Sequence, residues 1–481
     1  VSADRLPPGF PPDSQARTAA NLSAPPLDDT IVAIATPPGR GGVGAVRLSG
    51  PRAAEIAGAL FSPAGAIEAG RARLGTFLAA DGEAIDRGYL VLFRPPLSFT
   101  GEVIAECWTH GSPAVLRVLV EAAAARGARP AEPGEFTWRA LVRGRIDLTQ
   151  AEGVRDLIEA RTLFAARVAH LQEKGRLSAR LQPVRQALAD LLARAEASIE
   201  FSEEPEIAAA APGAGLAAEA ARLAADLERL AGSYERGRLL REGARVVLAG
   251  LPNAGKSSLF NRLLGEARAI VTPIPGTTRD AIEETIDLRG VPVVLTDTAG
   301  LHEGANEADR EAVARARACA AEADLVLVVL DWSRAFCDAD RDTLAAVPPG
   351  RLVTALNKVD LPCGIGLDRV LALRRRRGVL EVSAQTGEGI DDLRRLLRER
   401  LEPEARLLPD EAFLTSLRQR DLAARAATAL ARAAGAARDG LDAECTALDL
   451  REALDALGSI TGAVDLDDVY RRIFSTFCIG K

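Results

Sequence analysis

Methionine is absent from all 481 residues, and position 1 holds a valine. Val1 therefore reads as a literally translated non-AUG start. No apolar run approaches 18 residues, which excludes a membrane-spanning helix. The six cysteines, at 107, 319, 337, 363, 445 and 478, show neither a CxxC pair nor zinc-ligand spacing. That pattern suggests reduced thiols in a cytoplasm. An excess of positive charge is missing too. The net charge of −7 gives no general field attracting nucleic acid, so any RNA contact must be local or supplied by a partner. Residues 1–28 lack both a core pattern and the apolar stretch of a targeting peptide. Rich in Pro, Ala and Asp, they read as a disordered extension.

What is present describes a soluble globular chain, 48% hydrophobic and 26% charged, long enough for two to four domains. From Asp29, short β-like runs (30–35, 44–48 and 88–93) alternate with helical stretches such as 113–126. This texture predicts an α+β domain over 29–145. From Leu148 to about Arg241, Ala, Leu, Arg and Glu recur at helical spacing, with one break at Glu203-Glu204-Pro205. A second helical region runs from Glu411 to Ile473, with Gly435, Gly440 and Gly458 expected to mark turns. Between them, 243–403 has the strand–loop–helix rhythm of an α/β domain. The expected organisation is multidomain: helical pieces at 146–242 and 404–481 form one all-α domain interrupted by an inserted α/β domain.

The inserted segment carries an ordered series of motifs. Gly250-Leu-Pro-Asn253-Ala254-Gly255-Lys256-Ser257-Ser258 follows the apolar run 244–249 and fits G-x-x-x-x-G-K-[ST]. Its glycines let backbone N–H groups close around phosphates at a helix N-terminus. Lys256 would reach the β- and γ-phosphates and Ser257 would ligate Mg²⁺. Gly276-Thr277-Thr278-Arg279-Asp280 stands where a first switch should, with Thr278 completing the Mg²⁺ shell. Val293–Thr296 leads into Asp297-Thr298-Ala299-Gly300, whose Asp holds Mg²⁺ through water and whose Gly follows the γ-phosphate. Leu325–Leu330 reads as a further buried strand. Val353–Leu356 delivers Asn357-Lys358-Val359-Asp360, and Ser383-Ala384-Gln385 follows the run 379–382. The Asp360 carboxylate suits the two donors of guanine N1 and N2, a pair that adenine lacks. All five motifs in this order imply a P-loop GTPase domain. Its chemistry has a gap: Leu301 follows Gly300 where a water-orienting Gln is usual in Ras-like proteins. The charge role of an arginine finger, worth about 10³–10⁵ in rate, also needs a source. Asn253 reads either as a turn residue or as a ligand for a monovalent cation.

Two other segments draw notice. TPPGRGGVG (36–44), with Arg40 and Arg47, suits close approach to an anionic ligand or a tight turn with solvated arginines. The terminus, Phe474-Ser-Thr-Phe-Cys478-Ile-Gly480-Lys481, puts a cysteine beside a glycine and a cation, where a thiolate is favoured; a lone cysteine is otherwise a small buried hydrophobe.

From about Asp29 to Lys481 the chain resembles the MnmE (TrmE) family of bacterial and organellar tRNA modification GTPases, within the TrmE-Era-like superfamily. The matching stretches are TPPGRGGVG, PGEF at 133–136, GLPNAGKSS, GTTRD, DTAG, NKVD and the final FCIGK; a terminal CIGK on a GTPase is the most diagnostic. The resemblance implies a cytoplasmic homodimer formed through a tetrahydrofolate-binding N-terminal domain. It also implies a heterotetramer with the FAD-containing protein MnmG. Together they would install a carboxymethylaminomethyl or aminomethyl group at C5 of the wobble uridine of certain tRNAs, with 5-formyl- or methylene-tetrahydrofolate as one-carbon donor. By resemblance, K⁺ fills the arginine-finger role, with Asn253, Thr272, Ile274 and Thr277 as ligands and Pro273, Pro275 and Gly276 lining the nucleotide between them. Arg47, Glu106, Arg145 and Lys481 fall where the family contacts the folate, and Cys478 matches the cysteine required for modification.

The chain departs from the family at several points. The water-positioning Glu is replaced by Asp309, one methylene shorter, with Glu307 as fallback. Arg145 stands for a common Lys. His302 stands for an Arg and reads as a loop residue. The run Arg374–Arg377 reads as a solvated helix face rather than an RNA contact. Two rival functions are a ribosome-assembly GTPase of the Era or Der type and a nucleotide-driven scaffold without chemistry of its own.

Overall fold

The structure, a computed structural model, describes residues 25–200, 213–266, 282–288, 291–297, 323–375, 378–405 and 412–462, with Phe474, Phe477 and Gly480. The chain divides into two compact units, 1–155 with 458–481, and 156–457.

In the first unit, strands β1 (Ile31–Ile34), β2 (Gly41–Ser49), β3 (Phe61–Ser62), β4 (Arg73–Leu78), β5 (Ala84–Phe93), β6 (Ile104–Gly111) and β7 (Arg129–Pro130) form one sheet. Their order is β3-β4-β5-β6-β2-β1-β7. Pairing is antiparallel except between β1 and β7. Successive side chains point to opposite faces. Val46, Leu48, Leu90, Leu92, Ala105 and Cys107 therefore share a core with helices α1 (Ala53–Ala59) and α2 (Pro113–Ala125). Burial, with Glu106 adding to it, pushes the Cys107 thiol up to about 12, so it behaves as a small hydrophobe. Strands β2 and β5 cover the runs expected at 44–48 and 88–93, and β1 falls within the run expected at 30–35. The long strand β6 (IAECWTHG) escapes that reading because polar residues interrupt its β pattern.

Helix α3 (Glu135–Val142) brings in a buried charge network. The Arg139 side chain is fully buried and bonds Glu135 (3.0 Å), Glu102 (3.3 Å) and Asp29. Arg129 clamps Glu135 and Asp29, each at 2.6 Å, and Arg143 reaches Glu102 at 2.6 Å. Arg139 and Arg143 also donate to the carbonyls of Pro26 and Leu27. Residues 25–28, assigned by sequence to a disordered extension, are thus tied to the domain by backbone acceptors that composition does not reveal; residues 1–24 lie outside the described residues.

The described residues near the chain end join the same unit. Phe474 meets Trp138 edge-on with ring centroids 5.4 Å apart, and Phe477 lies 5.1 Å from Phe474. Gly134 of the PGEF motif sits at φ 68°, and a Cβ there would lie 2.8 Å from the Phe474 carbonyl oxygen. A glycine is required on both counts.

Helix α4 (Leu148–Glu159) contains residue 155, where the first unit's opening segment ends. In the second unit, helices α5 (Leu163–Glu173), α6 (Arg176–Glu200), α7 (Gly213–Gly232) and α8 (Tyr234–Glu242) precede a second sheet. Its strands are β8 (Ala244–Ala249), β9 (Ile282–Leu288), β10 (Val291–Asp297), β11 (Leu325–Asp331), β12 (Leu352–Asn357) and β13 (Val379–Val382), in the order β13-β12-β11-β8-β10-β9. Only the β9–β10 pair is antiparallel. Helices α9 (Lys256–Glu266), α10 (Asp338–Ala345), α11 (Leu367–Arg374) and α12 (Ile390–Ala405) accompany it. Val246 and Leu248 enter one core with α9 and α12, and Val247 and Ala249 enter another with α10 and α11. Both faces are buried, as a parallel sheet requires.

Two helices follow, α13 (Leu417–Arg438) and α14 (Ala443–Thr461), and α13 packs along α7. The segments on either side of the sheet are also stitched by polar contacts: Leu414 N donates to Ser233 Oγ at 3.2 Å, Arg241 pairs with Asp156 at 2.9 Å, and Thr415 Oγ1 donates to Gln172 at 3.1 Å. Gly435 and Gly458 do not mark turns; each lies inside a helix, where packing outweighs the roughly 1 kcal/mol cost of glycine. Gly440, at φ 68°, does make the turn. The break expected at 203–205 lies outside the described residues.

Replacing Arg139 strands buried carboxylates. Arg139→Leu should destabilise the first unit by roughly 3–5 kcal/mol, read from urea unfolding followed by tryptophan fluorescence. The network also sets an acid limit. Burial raises the Asp29 carboxyl, but hydrogen bonds from Arg129 and Arg139 outweigh it and hold it below the usual range. Because the folded value is the lower one, its contribution is present above the ordinary carboxylate range and is lost as pH falls through that value. Asp29→Asn should flatten this acid limb of the stability profile.

Candidate functional site

The carboxyl ends of β8, β11, β12 and β13 converge on one group of loops. After β8, the chain turns through Gly250, at φ 140°, Asn253, at φ 62°, and Gly255, at φ 90°, into α9. A Cβ on Gly255 would lie 2.3 Å from Asn357 Nδ2, so only glycine lets the loop close this tightly. Lys256 is buried and donates to the carbonyls of Gly250 (2.9 Å) and Leu251 (3.0 Å). It holds the loop in shape from within. Ser257 and Ser258 are exposed at the start of α9, and Asp297 is buried at the end of β10.

The loop after β12 is bound to this one. The buried Asn357 amide donates to the Ala254 carbonyl at 3.0 Å and accepts from Ala384 N at 3.0 Å. One side chain thus joins the loops after β8, β12 and β13. Lys358, at φ 71°, donates to the Asn253 carbonyl (2.7 Å) and pairs with Asp331 (2.6 Å). Val359 N donates to the Val382 carbonyl at 3.3 Å. Ser383 Oγ donates to Asp360 Oδ1 at 2.5 Å and accepts from Thr386 N at 3.1 Å. Asp360 itself is exposed, as is Gln385. An ionised carboxylate has about four acceptor sites, so Asp360 keeps capacity for two donors of a ligand while Ser383 orients it.

Asp331 was missed by the sequence reading. Its signal is a carboxylate ending an otherwise apolar strand, LVLVVLD. Burial raises its pKa, but bonds from Lys358 and Ser333 hold it below the usual carboxylate range.

In the first unit, Arg47 and Glu106 face each other across β2 and β6. Their side chains pair at 2.8 Å, and Arg47 also donates to the Gly480 carbonyl at 3.4 Å. Arg47 lies over the Phe136 ring, 5.7 Å from its centroid. Trp108 Nε1 donates to the other Glu106 oxygen at 3.0 Å, a contact that the sequence does not announce. Arg145 is exposed, and a Cβ on Gly101 would lie 3.1 Å from its Cγ. Among the described residues it makes no hydrogen bond or ion pair with Arg47 or Glu106. Arg40 is exposed at the turn before β2. Arg374 pairs with Glu381 at 2.6 Å, as a solvated surface residue does. Thr272, Pro273, Ile274, Pro275, Gly276, Thr277, Thr278, Thr298, Ala299, Gly300, Leu301, His302, Glu307, Asp309, Cys478 and Lys481 lie outside the described residues.

A phosphate-type loop at the end of β8, closed by an Asn-Lys-x-Asp loop on a largely parallel sheet, defines a P-loop guanine-nucleotide-binding protein. The family descriptions "GTP-binding protein TrmE N-terminus" and "MnmE helical domain" match residues 30–145 and 148–478. The chain belongs to the MnmE (TrmE) family. It is 43% identical to the tRNA modification GTPase MnmE of Koribacter versatilis over 95% of this chain and 100% of that protein. The MnmE of Roseiflexus sp. is 44% identical over 94% and 99%, and that of Aquifex aeolicus 39% over 95% and 100%. Among solved structures, Aquifex aeolicus Era bound to GDP·AlF4⁻ aligns with 38% of this chain and 66% of that one, at 24% identity and a TM-score of 0.26; a likeness this loose carries no argument.

Asp360→Asn replaces an acceptor by a donor at the carboxylate expected to read the base. Guanine nucleotides should bind weaker by on the order of 10²-fold or more. Xanthine nucleotides, which offer a carbonyl in place of the exocyclic amine, should bind better than to the parent. Competition against a fluorescent guanine nucleotide measures both.

Proposed function

We propose that the chain is a GTP hydrolase that acts, with a partner of the MnmG type carrying FAD, in modifying C5 of the wobble uridine of tRNA. The observation carrying this reading is the bonded group of loops around Asn357 in a chain related over 94–95% of its length to proteins named tRNA modification GTPase MnmE.

On this reading Lys256 exchanges the carbonyls of Gly250 and Leu251 for the β- and γ-phosphates when GTP arrives. The exchange keeps the charge paired throughout. Ser257 and Thr278 would hold Mg²⁺, with Asp297 acting on it through water. Asn253, Thr272, Ile274 and Thr277 would hold K⁺; of these, Asn253 is an exposed, left-handed loop residue whose carbonyl accepts from Lys358. When bound, such a cation supplies the positive charge that an arginine finger gives elsewhere. Leu301 has no polar group to orient water, so Asp309 takes that role.

The first unit supports two finer parts of the proposal. Arg47, Glu106, Arg145 and Lys481 would bind a tetrahydrofolate, and the Arg47–Glu106 pair offers a cation and a carboxylate together. Homodimerisation has support in a ladder on the sheet face opposite the helix-packed core. Leu74, Tyr89 and Trp108 are paired in register across β4, β5 and β6 and are 46%, 50% and 40% exposed. An apolar row of this size in water suits a second copy. Cys478 would act in the modification step.

Hydrolysis should accelerate strongly in KCl relative to NaCl at equal ionic strength; equal, slow turnover in both salts would sink the cation assignment. Cys478→Ser should abolish tRNA modification and leave GTP hydrolysis intact. Unaffected modification would favour a scaffold without chemistry of its own.

A further inference from the structure

Two non-glycine residues with positive φ occur among the described residues, Asn253 and Lys358, and they are bonded to each other. Lys358 Nζ donates to the Asn253 carbonyl at 2.7 Å and to Asp331 Oδ2 at 2.6 Å. The left-handed region costs most residues with a Cβ about 1–2 kcal/mol, and Asn less, so Lys358 above all needs something to hold it. Asp331 supplies the hold. It lies at the carboxyl end of β11, in register with Asn357 on β12. Its other oxygen accepts from Ser333 N at 2.9 Å and Ser333 Oγ at 2.6 Å, and it is 8% exposed. The carboxylate is therefore fixed before the ammonium reaches it, and charge-assisted bonds of this length are the strong kind.

We propose that Asp331 is a positioning residue that, through Lys358, sets the backbone of Asn253, so that the base-reading loop and the phosphate loop are held as one unit. The inference deepens the nucleotide-site reading and rests on it. Asn357 joins the same two loops at Ala254, one residue on; the strap through Asp331 acts at the residue beside the phosphates and the cation. Losing it leaves Lys358 with one partner and lets Asn253 relax toward ordinary backbone geometry. Both ends of the nucleotide should then be held less well.

The test uses the full-length protein carrying Asp331→Asn, Lys358→Met or both. The asparagine keeps the shape and the Ser333 contacts while removing the charge. Expected for Asp331→Asn is a loss of about tenfold in GDP and GTP affinity and a severalfold rise in the K⁺ concentration giving half-maximal hydrolysis. GDP and inosine diphosphate should weaken by equal factors, because Asp360 is untouched. The double variant should lose little beyond Lys358→Met alone, since both act through one link. Parent-like affinity in Asp331→Asn, or losses that add fully in the double variant, would overturn the proposal. Ser333→Ala serves if Asp331→Asn unfolds: it should weaken binding by a smaller factor, and no change at all would also overturn it. A parent protein with no K⁺ dependence would instead refute the cation assignment, and the affinity cycle would judge the strap alone.

Discussion

Five strands of the second sheet run parallel with both faces buried, which gathers the loops at their carboxyl ends, and the buried polar groups of those loops bond one another. The nucleotide site follows from that constraint. Asn357 satisfies the loops after β8 and β13 at once, and Lys256 turns inward to carbonyls of its own loop. Lys358 crosses from the base side to the phosphate side. Backbone acceptors and donors of three loops are thus satisfied by two side chains of one motif.

The first unit meets a different demand. An antiparallel sheet has two distinct faces, and here one is packed by α1 and α2 while the other carries the Arg47–Glu106 pair and the Leu74–Tyr89–Trp108 row. The buried charges around Arg139 anchor α3, and α3 in turn offers Trp138 to the aromatic residues near the chain end. Gly480 reaches Arg47 by the same route. A motif at residue 134 and a motif at residue 477 are thus two sides of one contact, separated by most of the chain.

Much was legible beforehand for stated reasons. Phosphate loops need glycines at particular steps, and guanine readers need a carboxylate after a buried strand; both are local demands that spacing reveals. The α-helical texture of 148–241 was equally plain. Strand β6 was not, because Glu106 and His110 on the face away from the helices, and the buried Thr109 on the core face, interrupt its apolar pattern. Gly435 and Gly458 misled because neighbouring helices can carry a glycine's cost. The hold on residues 25–28 was hidden because it uses carbonyls, which every residue has.

The amino-acid sequence by itself determined the family, the guanine-nucleotide chemistry and the order of its parts, because those depend on residue types at short, fixed spacing. Only the tertiary structure decided that Asp331 bonds Lys358 of the Asn-Lys-x-Asp loop and that Phe474, Phe477 and Gly480 lie with the N-terminal unit. Each of those depends on side chains brought together from positions tens to hundreds of residues apart. Such meetings are set by packing and charge burial, which no local pattern encodes.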